Sequence, residues 1–92
     1  MPQTLHRLTG TGPVGIGPSQ VYALWEHCYE EDDDGRPCNR RWTVRVSIDE
    51  ADGLGLFPYQ WVRLQLPGRA ATRAFFHGGR DSPPFMLLTF ER

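Results

Sequence analysis

Across residues 41–48 every second residue is apolar: Trp42, Val44, Val46 and Ile48 alternate with Arg41, Thr43, Arg45 and Ser47. A period of two belongs to a strand with one buried face, whereas a helix would repeat its apolar positions every three or four residues. Residues 61–66 repeat the pattern, with Val62, Leu64 and Leu66 inward and Trp61, Arg63 and Gln65 outward. Residues 72–77 and 85–91 are aromatic-rich runs bounded by Gly and Pro, and we read them as two further strands.

Breaks separate these runs. Residues 9–19 (TGTGPVGIGPS) form a Gly/Pro-rich segment read as a loop after a short first element at 5–8. Residues 30–39 (EEDDDGRPCN) read as an acidic hairpin tip, and 49–60 as a third break holding a helical turn. Tight reversals fall at 68–71 and 78–84. Turns spaced this way suit a meander of short strands closed into a barrel or sandwich. Residues 21–29 fit two periods. As a helix, Val21, Leu24, Trp25 and Cys28 share one face behind a Ser19 cap. As a strand, the segment pairs with 41–48 across the acidic tip. The acids at 30–34 would sit on the negative end of such a helix, which favours the strand. The expected fold is therefore all-β: one domain, a small and mostly antiparallel barrel of five to six strands with at most one short helix. The alternative is α+β with a helix at 20–29.

At 92 residues the chain buries only roughly 60–65% of its unfolded surface, too little for a doubly wound dinucleotide fold or an α/β barrel. The predicted core is Trp42, Val44, Val46, Ile48, Val62, Leu64, Leu66, Phe76, Leu88 and Phe90. All ten cations are Arg, against eleven acids, for a net charge of −1. Residues 1–35 carry −5 and residues 36–92 carry +4. A global pull toward nucleic acid or anionic membrane is thus absent. Residues 1–20 lack the pattern of a secretory leader, and the expected location is cytoplasmic, where cysteines stay reduced.

Several motifs match on paper only. Gly10, Gly12 and Gly15 satisfy G-x-G-x-x-G, but Pro13, Gly17 and Pro18 prevent the helix that would receive a pyrophosphate. Residues 30–41 align with a calcium loop until the twelfth position, where Arg41 stands in place of a bidentate carboxylate. Cys28, Cys38 and His27 are the candidate metal ligands, without the close cysteine knuckle that structural zinc favours. A cross-hairpin disulfide between the two cysteines is the other alternative to free thiols. Ser19, Ser47 and Ser82 lie in no nucleophile elbow, and Asp49, Glu50 and Asp52 read as a helix cap or turn. No catalytic residue, enzyme activity or cofactor is expected.

The outward strand positions carry more. Arg41, Arg45, Trp61, Arg63, Arg73, Phe75 and His77 point away from the predicted core. Aromatic rings among guanidiniums suit a protein interface, where Trp, Tyr and Arg dominate the binding energy. They also suit stacking on nucleic-acid bases beside neutralised phosphates. The leading expectation is a non-enzymatic module binding a protein partner, or itself, through this face. Nucleic-acid binding on the same face is the alternative, metal binding the third, and no membrane is expected.

Residues 44–66 (VRVSIDEADGLGLFPYQWVRLQL) resemble the strand, short helix and strand unit of cradle-loop barrels, the double-psi and AbrB-like swapped-hairpin group. Residues 47–52 match the entry to the helical turn, 54–56 its end, and 61–64 the second strand. The group usually has Gly-Asp before that strand, where this chain has Tyr59 and Gln60. The resemblance implies a β-barrel, with roles from DNA-binding dimer to recognition domain, and no catalytic residues.

Overall fold

The structure, a computed structural model, describes residues 4–92. Residues 1–3, part of the segment read as lacking a leader, lie outside the described residues. The described chain runs β1 (Leu5–Ile16), β2 (Ser19–Glu31), β3 (Pro37–Ser47), α1 (Ile48–Gly53), β4 (Gln60–Gln65), β5 (Thr72–Ser82) and β6 (Phe85–Glu91). All pairings are antiparallel, in the closed order β1-β2-β3-β6-β5-β4. The expected small barrel with one short helix is the fold observed.

The ambiguous segment is β2. Val21, Ala23 and His27 face inward while Tyr22 and Leu24 are exposed, the period of two that a half-buried strand needs. It pairs with β1 on one side and β3 on the other, so its backbone groups find partners that a lone helix would supply only from itself. The tip is tighter than 30–39: Glu30 and Glu31 belong to β2, residues 37–39 to β3. Asp32 organises the turn, its Oδ1 accepting from the Asp34 and Arg36 amides at 2.9 Å each.

Residues 9–19 are not a loop. β1 continues through Ile16, leaving Gly17 and Pro18 as the whole reversal before β2. The glycines answer to neighbours across the sheet. A Cβ at Gly10 would lie 2.6 Å from Trp25 Cζ2, and one at Gly12 would lie 2.9 Å from Pro67 Cγ. Pro13 is tolerated because β1 meets β4 only at Gly15 and Ile16, so its second edge is free alongside Pro13. The reversal expected over 78–84 is also shorter, since β5 continues past a bulge between Phe76 and Gly78 to Ser82.

Fourteen apolar side chains form the core, including nine of the ten predicted. Ile48 is the exception: it opens α1 and is half-buried, because Ser47 caps the helix and turns the chain out of the strand. The Glu50 amide donates to Ser47 Oγ at 3.1 Å, and the Ser47 amide to Glu50 Oε1 at 3.2 Å, a reciprocal capping box. Val14 and Ile16 complete the core from the segment read as a loop, Val21 and Ala23 from β2, and Ala74 from β5.

Candidate functional site

On the outside of β4 and β5, register sets Trp61 opposite Phe75 and Arg63 opposite Arg73. The Phe75 ring lies 5.4 Å from Trp61, 5.2 Å edge-on from His77 and 6.5 Å from Tyr59, measured between centroids. Tyr59 is fixed by its backbone, whose amide donates to the Phe76 carbonyl at 2.7 Å with φ at 65°. Trp61 is 51% exposed, and Phe57 and Tyr59 are 73% exposed. The Tyr59 and Trp61 rings are held against Phe75 and left largely uncovered.

Guanidiniums border the rings. The Arg73 Cζ sits 5.6 Å from the Trp61 ring centroid, within cation–π reach. Arg92 Nη1 donates to Thr72 Oγ1 at 3.1 Å and to the Arg73 carbonyl at 3.2 Å. With Trp61 and Arg73 it lines a shallow hollow of about 220 Å³. One carboxylate interrupts the patch: Glu91 Oε2 lies 3.0 Å from His77 Nε2.

Trp61, Arg63, Arg73, Phe75 and His77 therefore come together as read from the sequence. Arg41 and Arg45 do not join them, because β6 lies between β3 and β5. Arg41 faces Glu91, while Arg45 caps the Phe85 ring at 4.3 Å and lies opposite Leu24 and Leu87. Tyr59 and Arg92 join the patch although no periodicity marked them. Tyr59 lies in the connection before β4, and Arg92 follows β6.

The metal candidates diverge. His27 points into the barrel, whereas Cys28 on the opposite face donates from Sγ to Glu26 Oε1 at 3.3 Å. Register sets Cys28 against Arg41 and Cys38 against Glu30, so the cysteines do not meet, and both are free thiols. Among the described residues no three His, Cys, Asp or Glu side chains group as metal ligands. Burial, then the hydrogen bond and charge of Glu26, raise the Cys28 thiol above its ordinary value, the reverse of an activated nucleophile. Arg7 holds Glu26 in turn, with Nη2 and Nε at 2.7 and 3.1 Å from Oε2. Hydrogen bonds from Arg7 first and Cys28 second lower that carboxyl's pKa.

A second feature, inside the barrel wall, had no signature in the sequence. Four rings stack in series: His6 on Tyr29 at 4.8 Å, Tyr29 on His27 at 5.1 Å, and His27 on Trp42 at 4.5 Å with 6° between planes. The Arg40 Cζ lies 4.7 Å from the Trp42 ring centroid. His27 is 5% exposed and its Nδ1 lies 3.0 Å from the Arg41 carbonyl. A carbonyl only accepts, so Nδ1 carries the proton and, in the neutral ring, Nε2 keeps a lone pair. Beside this stack is a cavity of about 160 Å³, whose walls include His27, Tyr29, Arg40, Trp42, Arg69 and Thr72.

Among the described residues no helix is long and apolar enough to cross a membrane. Comparison of the chain with protein-family models, curated proteins and solved structures finds no match.

Proposed function

We propose that this barrel is a non-enzymatic recognition module whose β4–β5 outer face binds a protein partner. The carrying observation is the uncovered, mutually packed aromatic patch of Tyr59, Trp61, Phe75 and His77 bordered by Arg63, Arg73 and Arg92. Rigid aromatic anchors lose little conformational entropy on binding, and Arg offers paired hydrogen bonds to carboxylates. Glu91 supports protein over nucleic acid, since a carboxylate within the patch opposes a phosphate backbone. The partner surface that fits is apolar at its centre and acidic at its rim. Two unbridged cysteines suit a reducing compartment, in keeping with a cytoplasmic location.

Photo-cross-linking in the native cell, from a benzophenone residue at position 61 and separately at the outward-facing position 11, tests this reading. Position 61 is expected to give a discrete protein adduct that disappears with Arg73→Glu, and position 11 is expected to give none. A nucleic-acid adduct at 61, or the same adducts from both positions, overturns it.

A further inference from the structure

The cavity beside the ring stack is lined by two arginines and, among the described residues, by no Asp or Glu side chain. Arg40 and Arg69 both line it, and Arg92 is tied to Arg40 through reciprocal backbone hydrogen bonds at 3.3 and 2.9 Å. Among the described residues no carboxylate lies within 4.0 Å of any of these three guanidiniums. The Arg40 Nε is sealed from solvent and has no hydrogen-bond partner. Burial first, then the charge of Arg92, pull the Arg40 pKa below its ordinary value. His27 is likewise pushed down, by burial foremost and then by Arg40 and Arg69. A buried guanidinium N–H without a partner is costly when the cavity is empty, and an anion entering beside it removes that cost.

The rest of the wall suits such a guest. Leu64, Leu66, Tyr29 and Trp42 exclude water from its sides, which strengthens each polar contact made inside. Thr72 Oγ1 accepts from Arg92 and retains its own proton to donate. The cavity also holds far more than the ~10–15 Å³ that one water needs.

We infer that this end cavity binds a compact oxyanion, a carboxylate or phosphate group, clamped by Arg40 and Arg69 with Thr72 as a neutral donor. The inference does not rest on the reading of the β4–β5 outer face, although the two sites adjoin where Arg92 donates to Thr72. The oxyanion is either a free small anion or the acidic side chain of a peptide, and its recognition chemistry is the same in both.

The test is a two-dimensional amide and indole NMR titration of the whole chain. The probes are sodium phosphate, sodium acetate and a capped tri-aspartate peptide, each against sodium chloride at matched ionic strength. Saturable shifts are expected at Arg40, Arg69, Thr72 and the Trp42 indole N–H. Saturation by phosphate or acetate identifies a free anion, and saturation by the peptide alone an acidic side chain. Arg69→Gln, at an exposed position, is expected to weaken binding roughly tenfold, the loss of one charge-assisted hydrogen bond. Arg40→Gln removes the other half of the clamp, while Arg45→Gln on the outer face leaves affinity unchanged. Non-saturating shifts with every probe, equal saturation by chloride, or undiminished affinity in Arg69→Gln overturns the inference.

Discussion

His27 is the one buried polar side chain among the described residues, and its burial makes stability depend on pH. It faces Tyr29 on its own strand, Trp42 and Arg40 on β3, the Arg41 carbonyl, and Arg69 in the β4–β5 connection. Desolvation is the leading cause of its lowered pKa, opposed by the hydrogen bond to the Arg41 carbonyl and reinforced by Arg40 and Arg69. The unfolded ring titrates near 6.5. Below that pH the unfolded chain binds a proton that the folded chain refuses, so stability falls as pH falls. With a one-proton slope of about 1.4 kcal/mol per pH unit, lowering the pH from about 7.5 to about 5.5 costs up to about 1.4 kcal/mol from this residue. The loss ceases below the folded-state pKa. All other ionisable groups are common to both proteins, so the informative quantity is the difference between wild type and His27→Gln. Urea denaturation across this range is expected to show wild type losing more stability on acidification than the variant. Parallel losses would mean the folded ring protonates freely and would refute the argument.

Gly10→Val is expected to lower stability by about 1–3 kcal/mol, because its Cβ enters space held by Trp25, and Trp25→Leu in the same chain should restore part of the loss. Thermal denaturation of the double-mutant cycle checks this coupling. Ser47→Ala removes the cap of α1 and is expected to cost about 1 kcal/mol in urea denaturation. Cys28 is expected to react with iodoacetamide at neutral pH more slowly than an unhindered thiol, and severalfold faster in Glu26→Gln. Alkylation rates followed by mass spectrometry decide that point.

The strands visible in the sequence were those whose own side chains alternate, since burial of one face dictates that period locally. β3 and β4 showed it most clearly, and the acidic tip decided β2 by disfavouring a helix end. β1 was hidden because its inward positions include Gly10 and Gly12, small so that Trp25 and Pro67 can occupy the space. That requirement comes from residues distant in the chain, so no local pattern records it. Ile48 shows the converse: the alternation continues by one residue, but the Ser47 cap ends the strand.

The candidate site was legible to the same extent. Outward direction follows from alternation, so all seven predicted side chains face away from the core. Which of them meet follows from strand order, and β6 separates Arg41 and Arg45 from Trp61. Tyr59 sits in a connection where periodicity has no meaning, and its position depends on one hydrogen bond to β5. The interior stack was least legible, because His6, Tyr29, His27 and Trp42 are aligned only by the β1-β2-β3 register.

Which face the protein uses is measured most directly by hydroxyl-radical footprinting, comparing purified protein with protein at work in its native extract. Tyr22, 70% exposed on β2, is an internal reference for Tyr59 at 73% and Trp61 at 51%. Oxidation of Tyr59, Trp61 and Phe75 is expected to fall in the extract while that of Tyr22 stays unchanged. Protection of Tyr22 and Leu24 instead, or unchanged oxidation of Trp61, would contradict the assignment of β4–β5 as the binding face.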